Sequence, residues 1–226
     1  MLINDDKILI SPSIIASDLT VIGEQVGRFD GSIIDLLHMD VMDGHFVPNM
    51  TFGPGFIKDV KKHTAIPLDV HLMIERPERS IEQYMEAAPW ALTIHYESTR
   101  YPARLLQLVR SAGMVAGLSV NPATPVESVF DLLPYTDMVL IMSVDPGFYG
   151  QAFMETALPR IKKLHQFIAD NYRGSIKIQV DGGINKDNFN SVIKAGARII
   201  VVGNAAFKGG DINKNIRELR ESAASA

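Results

Sequence analysis

Short apolar runs alternate along the chain with longer segments in which apolar residues recur every three or four positions. The runs are rich in Val, Ile and Leu, which is typical of strands buried on both faces. They predict eight strands, at residues 8–11, 34–40, 68–71, 91–95, 115–120, 138–142, 176–181 and 199–202. The periodic segments between them predict helices, most clearly at residues 81–88, 104–110 and 157–171.

This alternation also predicts the fold. Strands that alternate with helices favour a parallel sheet. Eight such units in 226 residues favour a single (β/α)8 TIM barrel near the small end of its size range. An open doubly wound sheet, which normally has fewer strands, is the alternative. No Pro/Ser-rich linker or break in composition divides the chain, so we expect residues 1–226 to form one catalytic domain.

Composition excludes several classes of protein. The net charge is −4, from 22 basic and 26 acidic residues, and lacks the basic excess of a nucleic-acid surface. The chain contains no cysteine, which excludes disulfides and thiolate metal sites. Residues 1–7 lack the basic flank and apolar region of a signal peptide, and no apolar run reaches the roughly 18 residues of a membrane span. We therefore expect a cytoplasmic protein that binds neither nucleic acid nor membrane.

Ligand-type side chains end three of the predicted strands. His38 and Asp40 end the second strand, His71 the third and Asp181 the seventh. Strand ends form the mouth of a barrel, and residues two apart point to the same face. A lone buried histidine is more often a hydrogen-bonded core residue. Four such groups, two of them carboxylates that are costly to bury unpaired, favour one divalent metal ion. Nitrogen and oxygen ligands suit zinc first, and also iron, manganese or cobalt.

Three glycine-rich segments, at residues 144–151, 181–183 and 202–207, follow or end the last three strands. Glycine lets the backbone approach a ligand closely, and barrels often bind phosphate with the loops after strands seven and eight. A single glycine pair usually only makes a turn, but three consecutive segments favour an anion site. Because no Lys or Arg occurs in these segments before Lys208, backbone N–H groups would be the main donors.

Other residues near the predicted mouth have two interpretations. Three methionines lie at or just beyond strand ends: Met42, Met73 and Met142. They either fill the core, which is the usual role of methionine, or form an apolar wall around a substrate. Ser13 follows the first strand and could contact substrate or cap a helix. His95 and Glu97 end the fourth strand and could support the site from behind.

Five segments together resemble the ribulose-phosphate 3-epimerase family: residues 12–14, 38–49, 69–73, 144–148 and 180–183. The resemblance covers essentially the whole chain. It implies a metal-dependent, two-base epimerase that interconverts D-ribulose 5-phosphate and D-xylulose 5-phosphate through a cis-enediolate. One base removes the C3 proton from one face of the sugar, and the other returns a proton to the opposite face. The resemblance also implies a homo-oligomer, either a dimer or a hexamer.

The motif match implies a role for individual residues. His38, Asp40, His71 and Asp181 take the metal-ligand positions, and Asp40 and Asp181 also take those of the two acid/base groups, one of which we expect to be protonated when substrate arrives. Ser13 and His71 match substrate contacts. The match to the phosphate and lid region comprises Gly147, Phe148, Tyr149, Gly150, Gly182, Gly183, Gly203 and Asn204.

Two departures from the family pattern keep alternatives open. Tyr149 stands where the family's lid commonly has glycine. Residues 72–77 resemble the related allulose-6-phosphate 3-epimerases, which apply the same chemistry to D-allulose 6-phosphate, a longer sugar. Two further classes fit less well. A barrel lyase needs a lysine beside its aspartates, and the strand-end motifs contain none. A catalytically silent binding protein would not need both Asp40 and Asp181.

Overall fold

The structure, a computed structural model, describes residues 7–172 and 175–224. Within them, eight parallel strands form one sheet that closes into a barrel, which confirms the predicted (β/α)8 fold. The strands are β1 (Leu9–Pro12), β2 (Leu37–Met42), β3 (Leu68–Met73), β4 (Ala91–His95), β5 (Val115–Val120), β6 (Met138–Met142), β7 (Lys177–Asp181) and β8 (Ile199–Val202). Residues 1–6, in which we expect no signal peptide, lie outside the described residues.

Helices connect the strands, and two more follow the last strand. They are α1 (Ile22–Val26), α2 (Pro54–Lys61), α3 (Ile81–Met85), α4 (Pro102–Ser111), α5 (Ala157–Tyr172), α6 (Phe189–Ala195), α7 (Asn204–Phe207) and α8 (Ile212–Ala224). Between β5 and β6 the connection is a 3-10 helix, Val126–Tyr135, which contains Pro134; a proline inside a helix removes a backbone donor. Within residues 7–172 and 175–224, no helix has the length and apolar character needed to cross a membrane.

The closure of the barrel brings the first two strands together at the site. β1 pairs with β8, where Ile10 lies opposite Ile200. At the seam between β1 and β2, an isolated parallel bridge joins Ser13 to His38. Both of these residues are predicted site residues. Their positions are therefore fixed by the same contact that closes the barrel.

The interior of the barrel is filled in layers. One apolar cluster consists mainly of residues at the start of their strands or just before them: Leu9, Leu36, Ala91, Met138 and Ile199. Toward the carboxyl ends, the interior becomes polar, with Ser11, Asp69 and Gln179 fully buried. The outward-facing strand residues pack with the helices in the large main core. The amino end is thus closed by apolar packing, and the site opens at the carboxyl end.

The bounds of β2 differ from the prediction, which placed the strand at residues 34–40. Ile34 and Leu36 are buried, but they precede the ladder of β2, and the N–H groups of Asp35 and Leu36 both donate to the carbonyl of Ile10. Apolar content alone cannot distinguish a buried loop from a strand. Asp40 consequently lies inside the strand, two residues before its end, and is 5% exposed.

Candidate metal and active site

Four side chains from β2, β3 and β7 converge at the mouth of the barrel. One ligand atom from each of His38, Asp40, His71 and Asp181 lies within 4.8 Å of the others. Asp40 Oδ1 is 3.3 Å from His38 Nε2 and 3.2 Å from His71 Nδ1, and Asp181 Oδ2 is 3.9 Å from both nitrogens. Tetrahedral bonds of about 2.1 Å separate ligand atoms by roughly 3.4 Å. The four residues therefore have the spacing needed to hold a metal ion.

The hydrogen bonding of His38 supports this assignment. Its Nδ1 lies 2.8 Å from Asp69 Oδ2, whereas its buried Nε2 has no hydrogen-bond partner among the described residues. Buried polar atoms almost always have a partner. A carboxylate behind one nitrogen of a histidine, with the other nitrogen directed into the site, is the common arrangement around a metal ligand.

Asp69 is a site residue that the sequence analysis missed. It is fully buried, lies opposite His38 in the β2–β3 register, and accepts hydrogen bonds from Ser11 Oγ at 3.1 Å and from the side chain of Gln179. Residues two apart on a strand share a face, so Asp69 faces the interior together with His71. The spacing of two residues between Asp69 and His71 is the sequence signal from which Asp69 could have been identified.

The two aspartates of the site have opposite electrostatic environments. Burial raises the pKa of Asp181 to about 7, and the charge of Asp40 acts in the same direction. Burial also disfavours the charged form of Asp40, but the neighbouring His38 and His71 outweigh it and hold its pKa well below the usual range. Near neutral pH, Asp40 is therefore ionised, whereas Asp181 can carry a proton. Such a coupled pair is suited to acid/base chemistry.

The charge around His38 favours a cation at this place. Burial lowers the pKa of His38, but the carboxylates of Asp40 and Asp69 outweigh burial and raise it well above the usual value. The negative potential that favours a proton on this imidazole also favours a metal cation beside it.

A cavity of about 190 Å³ opens above the four ligand residues, and Asp40 and Asp181 form part of its wall. Twelve predicted substrate-site residues line it: Ser13, Met42, Met73, Met142, Gly147, Phe148, Tyr149, Gly150, Gly182, Gly183, Gly203 and Asn204. His71 does not line the cavity, because its side chain is fully buried beneath the wall. The wall also contains residues that the sequence analysis did not single out for the site: Ile15, Val144, Pro146, Gln151, Ile184, Asn185 and Ala205.

The methionines serve both interpretations offered by the sequence. Met42 and Met73 pack together with Val47, and Met142 packs with Val144. All three methionines are buried, and all three line the cavity. They fill the upper core and at the same time form an apolar surface beside Asp40 and Asp181, which strengthens electrostatic interactions there.

Glycines bring the backbone to the wall of the cavity after β7. Gly182 has a φ of 122°, and a Cβ there would lie 2.6 Å from the Val144 side chain. Gly183 has a φ of 65°, and a Cβ there would lie 2.3 Å from the backbone nitrogen of Phe153. Both conformation and space therefore require glycine at these positions. The resulting bare backbone is suited to an anion.

The loop after β6 covers this part of the cavity. A Cβ on Gly150 would lie 2.9 Å from Asn204 Nδ2, so the loops after β6 and β8 approach each other closely. Gln151 holds the loop by donating to the carbonyls of Asp145 and Phe148. Tyr149 is 60% exposed and contributes to the wall.

Fold and site together define a class of protein: (β/α)8 barrels whose strand ends bring two histidines and two aspartates together beside a glycine-lined cavity. The chain belongs to the ribulose-phosphate 3-epimerase family. The family model described as "Ribulose-phosphate 3 epimerase family" matches residues 9–207, a range that includes all of the predicted site residues.

Curated relatives carry the same description. The chain is 40% identical over 215 residues to the ribulose-phosphate 3-epimerase of Bacillus subtilis, covering 95% of this chain and 99% of that protein. It is 41% identical over 218 residues to the enzyme of the same name from Aquifex aeolicus, covering 96% and 98%. The matches extend over nearly the full length of both chains.

Solved structures share the fold at much lower identity. A 3-hexulose-6-phosphate synthase superimposes with a TM-score of 0.67 at 15% identity, covering 95% of this chain and 99% of that one. The orotidine 5'-phosphate decarboxylase of Pyrococcus horikoshii gives a TM-score of 0.66 at 15% identity, covering 96% and 100%. These similarities establish the barrel architecture alone.

Proposed function

We propose that this protein interconverts D-ribulose 5-phosphate and D-xylulose 5-phosphate by two-base epimerisation at C3, and that residues 1–226 form the single catalytic domain. The observation that carries the proposal is the pair Asp40 and Asp181, which belong to one four-residue ligand cluster and line one cavity. The names of the curated relatives support the pentulose substrate. The hexulose alternative has no such support.

Each aspartate has one task in each direction of the reaction. Asp40 and Asp181 lie on opposite faces of the sugar, so one removes the C3 proton and the other delivers a proton to the resulting cis-enediolate. When the C3 proton of the substrate faces Asp40, the ionised Asp40 accepts that proton. The protonated Asp181 then donates its proton to the opposite face of the cis-enediolate. Ser13, whose hydroxyl donates to Asp40 Oδ2, holds that carboxylate in place.

The substrate lies in the cavity with its phosphate toward the glycine-rich loops. Backbone N–H groups of Gly182, Gly183, Gly203 and Asn204 bind the phosphate. The loop of Gly147, Phe148, Tyr149 and Gly150 covers the sugar, and the apolar surface of Met42, Met73 and Met142 excludes water from the cavity. Excluding water prolongs the life of the intermediate and strengthens the charges that act on it.

His38, Asp40, His71 and Asp181 hold one divalent metal ion, for which zinc is our first assignment. When bound, the ion supplies positive charge that stabilises the negative charge developing on the substrate oxygens. Two imidazoles among four ligands favour zinc, iron, manganese or cobalt over magnesium or calcium.

The cellular setting of the protein is also a proposal. We expect a cytoplasmic enzyme that binds neither nucleic acid nor membrane. The net charge of −4 supports the expectation for nucleic acid, since it lacks the basic excess of such a surface. Following the family resemblance, we expect a homo-oligomer, a dimer or a hexamer. Light scattering on the purified protein distinguishes these states from a monomer by mass.

The substrate assignment predicts a clear preference in a direct comparison. We expect kcat/KM for D-ribulose 5-phosphate to exceed that for D-allulose 6-phosphate by at least about tenfold, because one extra carbon must fit the same cavity. A tenfold ratio corresponds to a difference of about 1.4 kcal/mol in transition-state binding. Both sugars are assayed in parallel on one metal-analysed sample. A higher kcat/KM for the hexulose phosphate would contradict the assignment and make Tyr149 the first residue to vary.

The metal assignment predicts a selective loss of affinity in His71→Ala. Removing one imidazole ligand should weaken zinc binding by about tenfold or more, measured by competition with a chromophoric chelator. His45→Ala is the matched control, because His45 is exposed in the loop after β2 and lies outside the four-residue cluster. Equal zinc affinity in the two variants would argue against ligation by His71.

A further inference from the structure

A line of hydrogen-bonding side chains leads from the metal site toward the outside of the barrel. His71 Nε2 lies 2.8 Å from His95 Nε2, and His95 Nδ1 lies 3.4 Å from Glu97 Oε2. The other oxygen of Glu97 accepts from the N–H of Asn121 at 2.8 Å and from the hydroxyl of Thr124. The two imidazole side chains are fully buried, and the Glu97 side chain is 22% exposed.

The order of these contacts determines where each proton lies. His71 directs Nδ1 toward Asp40 and the ligand cluster, and a nitrogen that binds a metal cannot carry a proton. The proton of His71 is therefore on Nε2 and is donated to His95 Nε2. His95 must then carry its own proton on Nδ1, facing Glu97, whose carboxylate can only accept. Each contact in the line has one donor and one acceptor.

We propose that His95 and Glu97 are positioning residues for the metal centre, which select the tautomer of His71 and hold its Nδ1 toward the metal. The inference rests on the proposed metal site. Asp69 has the corresponding position behind His38, at 2.8 Å from Nδ1. The two ligands thus differ: His38 has a carboxylate directly behind it, and His71 reaches one through a second imidazole.

Packing holds the intermediate ring of this line in place. The His95 ring lies 4.9 Å from the His71 ring, nearly parallel to it at 23°. On another side, Phe46 tilts against His95 with ring centroids 4.7 Å apart. Phe46 belongs to the loop after β2, so the loop that follows the strand with two of the ligands packs against the residue that orients a third.

The test measures metal affinity without substrate, so its failure is distinguishable from failure of the proposed reaction. Zinc affinity is determined by competition with a chromophoric chelator. His95→Phe keeps a flat ring but removes the acceptor, and we expect a 10- to 100-fold loss of affinity. His95→Gln offers an amide oxygen and should recover much of the loss. Thr93→Val is the matched control, because Thr93 is on the same strand as His95, is equally buried, and makes no hydrogen bond to His71, His95 or Glu97.

Two further readouts separate positioning from a purely structural role. At saturating zinc, His95→Phe should recover kcat to within a few-fold, because the reacting groups are intact. Long-range 15N–1H correlation spectra of the unmodified zinc protein should show His71 protonated at Nε2 and His95 at Nδ1, a measurement that does not depend on any variant folding. Unchanged zinc affinity in folded His95→Phe, or a His71 protonated at Nδ1 in the zinc protein, would overturn the proposal.

Discussion

Asp181→Asn is expected to lower epimerase turnover by about a thousandfold or more while the barrel remains folded. The amide has the size of the carboxylate but can neither accept the C3 proton nor return one, and loss of a positioned acid/base group typically costs 10²- to 10⁴-fold. The loss of one metal bond adds to this effect, so turnover is measured at saturating metal. The backbone should not move, because the N–H and hydroxyl of Ser143 both hold the Asp181 carbonyl.

Solvent isotope exchange makes this prediction specific to two bases. In D2O, Asp181→Asn should still wash deuterium into C3 of one of the two sugars, because Asp40 can remove and return a proton on its own face. Asp40→Asn should exchange only the other sugar. Each variant would exchange without epimerising, and proton NMR of the recovered sugars reports both events.

The control for this experiment is Asp187→Asn. It makes the same chemical change six positions further along, at an exposed residue that does not line the cavity. We expect its turnover to equal that of the unmodified protein. Near-normal turnover in Asp181→Asn, or exchange of both sugars in the same variant, would refute the assignment of Asp181 as one of two bases.

The ligand cluster was predictable because the geometry of a barrel is simple. Strand ends meet at one mouth, and residues two apart share a face. His38, Asp40, His71 and Asp181 could therefore be grouped from their places in three apolar runs, without knowledge of side-chain positions. The same reasoning grouped the glycines, since consecutive loops of a barrel are neighbours in space.

Contacts inside the barrel were much harder to predict. Asp69 and Gln179 meet across the interior although they are 110 positions apart, and the distance between them depends on strand tilt and stagger, which sequence does not reveal. His71 and His95 were each noticed at a strand end, but their 2.8 Å contact depends on the rotation of two rings. The burial of His71 beneath the cavity wall has the same origin, since strand periodicity gives the face of a residue but not its depth.

Removal of bound metal by a strong chelator is expected to abolish turnover, and addition of zinc should restore it. The residues that line the cavity in the described part of the chain include no Lys or Arg, and the apolar methionine surface cannot stabilise charge. Without the metal ion, negative charge that develops on the substrate would therefore have no cationic side chain of the wall beside it. Stabilisation of such charge by a metal ion is commonly worth several kcal/mol.

A series of ions extends the test from the presence of a metal to its chemistry. Zinc, cobalt, manganese and ferrous ions should each restore turnover to the chelated protein, because all accept two imidazoles and two carboxylates. Magnesium at the same concentration should not, since it prefers oxygen ligands in an octahedron. Thermal unfolding of the chelated protein is followed in parallel, so that a loss of turnover can be separated from a loss of fold. Full turnover in a sample with no divalent ion by elemental analysis would contradict the metal-dependent mechanism.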